Sequence, residues 1–373
     1  MKILLTNFHP YNGGGHTTYL LYLYRELNKN KEVFLSCPET SRLYKFAQDI
    51  KKEHVVSIDF PGKIKEIKGI AKNLAKVVNL MRRESFDLIH VNGSPDHRMI
   101  MYAKILLNDK TPVIKTIHNS LIPKTDFFAR LQRRYFTDKI IVVSNFQKGF
   151  LLNNGYKDEE IEVIHNGIDT DYFSFTPVNK KLRVKYKIKD DDIVFVSTAG
   201  TSLHKGWHIL VEAVSNLDSS LRNRIKIILA GEIPDKKIQE TYIEKFDMSR
   251  QVIFTGLLPD VREVVSIADI GFVLSYKIET ISFACREMMS MGRPVIVSDY
   301  AGLTENIDDG INGWIVKPCD VNSVYSKINE IILNIDNLDK YSAAARQKAE
   351  REFVLNKFIT KTLSCYESVL KNI

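Results

Sequence analysis

The stretch Ser275–Asp299, SYKIETISFACREMMSMGRPVIVSD, decides how this chain is read. It is entered from the apolar run IGFVLS (residues 270–275) and left through PVIVSDY (residues 294–300), two runs of strand length and composition. Between them the loop YKIETIS gives way to an apolar, small-residue helix starting near Ser282 and ended by Gly292. Strand, helix and strand in roughly 30 residues make a parallel βαβ unit. Two carboxylates break the apolar pattern, Glu279 at the helix entrance and Glu287 inside it. Taking a charge out of water costs roughly several kcal/mol unless hydrogen bonds replace its hydration, so something must meet them.

The same alternation extends in both directions. KILLTN, EVFLSC, VVSIDF, DLIHVNG, VIKTIH and KIIVVSN read as strands with amphipathic stretches between most of them, and the pattern starts afresh with IVFVSTAG, IKIILAGE, QVIFTGLL, IGFVLSY, PVIVSDY and GWIVKP. The expected architecture is α/β, with two domains whose mostly parallel sheets face each other across a cleft. The first is expected over residues 1–175 and the second over 176–355, with the linker near 170–180. The final segment, DKYSAAARQKAEREFVLNKFITKTLSCYESVLKNI, reads as helical throughout, its end (356–373) packing back on the first domain. Ligands of open α/β sheets bind at the carboxyl ends of the strands, so functional residues are expected in the loops just after them.

A chain of 373 residues with 44% apolar and 26% charged residues is long enough for two cores and has the composition of a soluble globular protein. Its four cysteines form no CxxC or Cys/His cluster, which argues against a disulfide framework and a structural zinc site and fits a reducing cytosol. The start MKILLTNFHPYNGGG is interrupted by Asn7 and His9 and reads as a first strand, not a signal peptide or a membrane span. A net charge of +8 favours anionic partners without choosing among nucleic acid, an acidic membrane and a phosphorylated small molecule.

Several motifs fall where such a fold places its ligands. Gly13, Gly14 and Gly15 stand between the first strand and its helix, where they permit close backbone approach to an anion; a tight turn explains them nearly as well. His118 follows a strand and could share a proton or donate to a substrate oxygen, though a lone histidine is more often structural. Lys205, in AGTSLHKGWHILVEAV, is suited to phosphate oxygens, or is a solvated surface lysine; the order of residues does not fit GxxxxGK[ST]. Asp190, Asp191 and Asp192, and the pair Asp169 and Asp171, read as turn and cap residues, not metal ligands. The N–H groups near residues 282–284 favour an anion such as a diphosphate. Two carboxylates beside a diphosphate would repel it, so their fitting partners are hydroxyl groups on its two flanks, as a nucleotide sugar offers. The alternative is that Glu287 pairs with a neighbouring Lys or Arg while Glu279 is solvated.

VIHNGIDTDYF, HKGWHILVEAV, VIFTGLLPD, the pair Glu279 and Glu287, and MMSMGRPVIVSDYAGLTENIDDGINGWIV resemble, in this order, the retaining GT-B glycosyltransferases of family 4. The resemblance implies two Rossmann-like domains facing across a cleft (GT-B), an acceptor site mainly in the N-terminal one and a nucleotide-sugar site mainly in the C-terminal one. It implies that Glu287 binds ribose hydroxyls, Glu279 contacts the donor sugar and Lys205 holds the diphosphate. Gly14, Gly15 and His118 would line the reaction centre from the other domain. Two departures concern the donor contacts. Thr201, followed by Ser202, stands where the family usually has an arginine, and Glu279, Thr280, Ile281, Ser282 replace the common E-G-F-G.

The expected function is hexosyl transfer from a UDP- or GDP-linked sugar to a glycan or lipid-linked acceptor in bacterial surface polysaccharide or lipopolysaccharide synthesis. Neither cofactor nor metal is expected, the donor being a substrate, and His118, Lys205 and Glu279 are the expected catalytic residues. The rival readings are a GT-B sugar-nucleotide epimerase and a non-catalytic nucleotide-sugar-binding subunit. Basic stretches with Lys63, Lys65, Lys68, Lys72, Lys76, Arg82 and Arg83, and with Arg130, Arg133 and Arg134 among Phe127, Phe128, Tyr135 and Phe136, suit an anionic membrane surface or a solvated helix face equally. They accompany no nucleic-acid recognition motif. The expected location is the cytoplasm, with peripheral contact at the inner face of the cell membrane.

Overall fold

The computed structural model describes residues 1–11, 13–62, 67–119 and 127–371, without the side chains of 67, 68, 127 and 128. Lys63, Lys65 and the side chains of Lys68, Phe127 and Phe128, named above, therefore lie outside the described residues. The strands are apolar runs bearing β-branched and leucine residues; the central ones are buried, as a parallel sheet covered on both faces requires, and two edge strands are only half-buried. β1 (Lys2–Thr6), β2 (Glu32–Cys37), β3 (Val55–Ser57), β4 (Leu88–Val91), β5 (Val113–Ile117), β6 (Lys139–Val142) and β7 (Ile161–Val163) form one sheet. Its order is β3-β2-β1-β4-β5-β6-β7. β8 (Ile193–Ser197), β9 (Ile225–Ala230), β10 (Val252–Gly256), β11 (Ile270–Val273), β12 (Val295–Ser298) and β13 (Gly313–Val316) form the other, in the order β10-β9-β8-β11-β12-β13. Every strand pairing is parallel. The six strands read in the second half are all present; β7, a three-residue edge strand, was not anticipated.

The chain divides into two compact units, Met1–Asn166 with Asn356–Ile373, and Gly167–Leu355. The second unit thus begins earlier than the 176 expected from the restart of the strand pattern. The stretch that reads as a linker is tied to it instead. Ile168 N donates to Phe353 O at 2.8 Å, Phe173 lies in the core beneath the second sheet, and Arg346 Nη1 donates to the carbonyls of Thr170 and Phe173, both at 3.0 Å. Nor is the C-terminal segment helical throughout. Helices Leu338–Glu352 and Leu355–Lys371 are separated at Phe353 and Val354, where Val354 bridges Ile168 as an isolated β pair.

In each sheet the strand order reverses once, between β1 and β4 and between β8 and β11. Chains leaving neighbouring strands at such a point run to opposite faces of the sheet and open a crevice at the carboxyl ends. The segments that follow β1, β4 and β5 carry Gly13, Asn92 and His118; those that follow β8 and β11 carry Thr201, Lys205 and Glu279.

Candidate active site

In the second unit the segment after β8 turns at Gly206 (φ 73°) and packs so closely on the segment after β11 that a Cβ there would fall 2.0 Å from Leu274 O. Tyr276 N donates to His204 O at 3.1 Å, joining the two loops again. This approach brings Lys205 to Glu279: Nζ donates to Oε2 at 2.8 Å, with both side chains largely buried. Ser275 Oγ adds a bond to the same oxygen at 3.3 Å, and Thr280 N donates to Oε1 at 3.4 Å. Thr280, Ile281 and Ser282 are buried, and the Ser282 hydroxyl caps helix Phe283–Ser290 by accepting from Cys285 N. Thr201 is engaged within the loop: its hydroxyl donates to Glu232 O and its carbonyl accepts from Trp207 Nε1 at 2.7 Å. Ser202 is exposed beside it.

Glu287 lies on helix Phe283–Ser290, one of whose flanks is held to β11 at Gly271, where a Cβ would meet Met288 Sδ at 2.8 Å. No residue of the described chain gives its carboxylate a hydrogen bond or an ion pair. Burial pushes its carboxyl up from the ordinary 4.5 to about 7. The alternative drawn from spacing is thus reversed: Glu279 is the glutamate with a cationic partner, and Glu287 is the one without. Arg286, the adjacent cation, points elsewhere, its Nε donating to Asn306 Oδ1 at 2.7 Å and its guanidinium lying 4.3 Å from the Phe353 ring centre.

The first unit gathers imidazoles. Gly13 and Gly14 take φ values of 62° and 52°, so the chain turns sharply from β1 into helix Gly14–Leu27, with Gly15 exposed in its first turn. This turn sets His9 and His16 side by side, with ring centres 4.4 Å apart, and His16 4.3 Å from His118. Tyr19 covers His118 from one helical turn on, at 4.5 Å. Beneath them His90 is fully buried, its ring nitrogens 2.6 Å from Tyr366 Oη and 2.6 Å from Thr116 Oγ1. Burial holds all four histidines in the neutral form, pushing His16 and His90 down to about 3, His118 well below its ordinary range, and His9 in the same direction. Neutral imidazoles exchange hydrogen bonds with hydroxyl groups but do not attract phosphate. His16 was not singled out in the sequence, and no local motif marks it.

The acidic groups have local roles. Asp192 Oδ2 accepts from Lys189 N, Asp191 pairs with Arg224, and Asp169 Oδ1 accepts from Tyr172 N. Among the described residues no group of three or more His, Cys, Asp or Glu is arranged to hold a metal ion. Helix Ile67–Glu84 buries Asn73, Val77, Leu80 and Met81 and exposes Lys72, Lys76, Arg82 and Arg83. Arg133 is turned inward onto the Tyr156 ring, 4.0 Å away. Helix Ser94–Leu107, which packs against helix Ile67–Glu84, exposes Tyr102, Ile105 and Leu106, and helix Phe127–Phe136 exposes Tyr135. No described helix is long and apolar enough to cross a membrane.

Two doubly wound parallel sheets, with Lys205 paired to Glu279 at the carboxyl ends of the second and Glu287 on the helix that follows, are those of the GT-B class of glycosyltransferase. Residues 13–172 match Glycosyltransferase Family 4 and residues 178–348 match Glycosyl transferases group 1, and the chain belongs to this family. It is 28% identical over 222 residues to the putative glycosyltransferase EpsD of Bacillus subtilis, a match covering 58% of this chain and 57% of that protein. It is 23% identical over 362 residues to the UDP-Gal:α-D-GlcNAc-diphosphoundecaprenol α-1,3-galactosyltransferase of Escherichia coli, covering 92% and 91%. The crystal structure of Anabaena HepE in complex with UDP-glucose shares the fold, with a TM-score of 0.82 at 20% identity over 99% of this chain and 100% of that one.

Proposed function

We propose that the protein is a retaining, metal-independent hexosyltransferase that uses a UDP- or GDP-linked sugar and a glycan or lipid-linked acceptor, in the synthesis of bacterial surface polysaccharide or lipopolysaccharide. The observation that carries this reading is the unpartnered carboxylate of Glu287 close along the chain to the Lys205–Glu279 pair. Vicinal ribose hydroxyls would supply the donors that Glu287 lacks. Lys205 would leave Glu279 for the diphosphate, neutralising charge as it develops on the leaving oxygen, and Glu279 would then accept from a sugar hydroxyl. Ser202 and the backbone of Thr280–Ser282 would complete the donor contacts. In the first unit, His118 and the Gly14–Gly15 turn would meet hydroxyl groups at the reaction centre. The likeness to the galactosyltransferase of E. coli, whose name gives a diphosphoundecaprenol-linked acceptor, supports a lipid-linked acceptor, and the HepE complex supports UDP-glucose-type donors.

The apolar residues exposed on helix Ser94–Leu107, and the exposed cations of helix Ile67–Glu84 on which it packs, favour peripheral contact with an anionic leaflet on the cytoplasmic side. The test is transfer of radiolabel from a panel of UDP- and GDP-hexoses to a lipid extract and to synthetic polyprenyl-diphosphate sugars, with and without EDTA. Label in the acceptor, insensitive to EDTA and with the anomeric configuration of the donor, is the expected result. Interconversion of the donor without transfer would mean an epimerase, binding without turnover a non-catalytic subunit, and rescue by Mn²⁺ after EDTA would overturn metal independence.

A further inference from the structure

Among the described residues other than glycine that take a positive φ, Ile278 is the one branched at Cβ, with φ 54°. In the left-handed region the Cβ of an L-residue crowds the following carbonyl, and a branched side chain has few rotamers with which to give way. An isoleucine stays there only where its surroundings hold it. Before it, the chain is pinned at three points: Leu274 O lies against Gly206, Ser275 O accepts from Ser298 Oγ at 2.5 Å, and Tyr276 N donates to His204 O at 3.1 Å. Beyond it, Thr280, Ile281 and Ser282 are buried. Ile278 itself makes no backbone hydrogen bond with the described residues, and its side chain is 46% exposed, so neither bonding nor packing at the residue fixes the turn. The tie at the apex is the next residue, Glu279, whose carboxylate is drawn to Lys205 Nζ at 2.8 Å and to Ser275 Oγ at 3.3 Å.

We propose that the Lys205–Glu279 pair holds Ile278 in a strained conformation that relaxes when the donor diphosphate takes Lys205, so that Ile278 acts as a positioning residue for Glu279 and its strain is returned as donor affinity. The affinity rests on the displacement of Lys205 under the proposed function; the strain does not. Linkage fixes the sign. A free state raised by strain and a bound state without it favour binding by that difference, so relief of the strain stabilises the ligand-free protein and weakens the donor together. An isoleucine that merely touched the sugar would lose affinity on replacement and stabilise nothing.

The test is a series at position 278 in the full chain, read by urea unfolding without ligand and by calorimetry with UDP and GDP. Ile278→Asn tolerates the left-handed region, Ile278→Gly frees φ altogether, and Ile278→Val keeps the branch. Nucleotide affinity is expected to fall by about 5- to 100-fold in Ile278→Gly and less in Ile278→Asn, with Ile278→Val near wild type. The urea midpoint of the ligand-free protein is expected to rise in Ile278→Asn, the cleaner reading because glycine also loosens the unfolded chain. In a Lys205→Ala background the restraint is already gone, so that rise is expected to vanish. Lower affinity in Ile278→Asn without a higher midpoint would mean contact in place of strain and overturn the proposal. A higher midpoint with unchanged affinity would show the strain surviving in the complex, with the same consequence. An equal rise in the Lys205→Ala background would show that the ion pair does not hold Ile278. If wild type binds neither UDP nor GDP, the donor reading fails and the affinity half of the inference with it, whereas the stability cycle still decides whether the pair holds the strain.

Discussion

The two halves of the chain use the same architecture and opposite electrostatics. At the carboxyl ends of the second sheet a lysine and two glutamates stand in partly buried surroundings, with one carboxylate unpaired. At the corresponding ends of the first sheet lies a group of histidines held neutral by burial. A phosphate is met by fixed charge and a hydroxyl by uncharged donors and acceptors, so the same topology carries two solvation regimes. The contrast shows that the strand order fixes where a site forms, whereas the loop residues fix what it binds.

The comparison breaks most visibly if the charged half is disabled. Lys205→Ala is expected to lower turnover by about 10² to 10³ and to leave Glu279 without its cation. Thr201→Arg should restore part of that loss, although it also removes the bond from Thr201 to Glu232 O. Turnover of the two single variants and the double variant measures this, and near-normal activity of Lys205→Ala would withdraw the phosphate assignment.

Glu287→Gln sharpens the contrast by separating binding from stability. Loss of a charged acceptor for a ligand hydroxyl should weaken nucleotide binding by about 1.5 to 3 kcal/mol, read by calorimetry, whereas Glu279→Gln should affect the sugar conjugate more than free nucleotide. Because the folded carboxyl titrates near 7 and an unfolded one near 4.5, the folded protein retains a proton across that window which the unfolded chain has lost. Stability contributed by this group is therefore present below pH 4.5 and lost as pH rises through 7. At pH 8 the ligand-free Glu287→Gln protein should be more stable than wild type by about 1 to 3 kcal/mol, and at pH 4 the difference should vanish. Nucleotide affinity of the wild type should rise as pH passes 7. Flat melting differences and flat affinity would show that Glu287 has a partner in solution.

The smallest effect concerns the neutral half. Tyr366→Phe removes the bond to His90 Nδ1 and leaves a buried nitrogen unsatisfied, at a cost of about 1 to 3 kcal/mol. Urea unfolding should show it, and nucleotide binding by the second unit should be unchanged; a matching loss of nucleotide affinity would contradict the separation drawn above.

Much of this was legible in the sequence because it is written locally. The apolar runs and the carboxylates at 279 and 287 fall within continuous stretches, and Lys205 sits between the glycines of one loop. What escaped detection depends on distant contacts. His9 and His16 join His90 and His118 only because β1, β4 and β5 lie side by side, and Asn92 carries no periodic signal at all. β7 is three residues long, too short for alternation to show. Helix Ser94–Leu107 is apolar on most of its circumference, so its sequence does not say which side stays exposed. The break after Glu352 follows from the pairing of Val354 with Ile168, residues far apart in the chain.

The division of the chain gives the second unit a place inside the first, since Gly167–Leu355 interrupts a unit completed only by Asn356–Ile373. In chain order the interior unit is therefore complete at residue 355, where its host still lacks a helix. Until that last helix emerges, Tyr19 and His90 lack the covering rings of Phe358 and Tyr366. Residues at the end of the chain thus decide when residues near its beginning are sealed from water, and a truncation before residue 356 would leave the first unit open while removing nothing from the second.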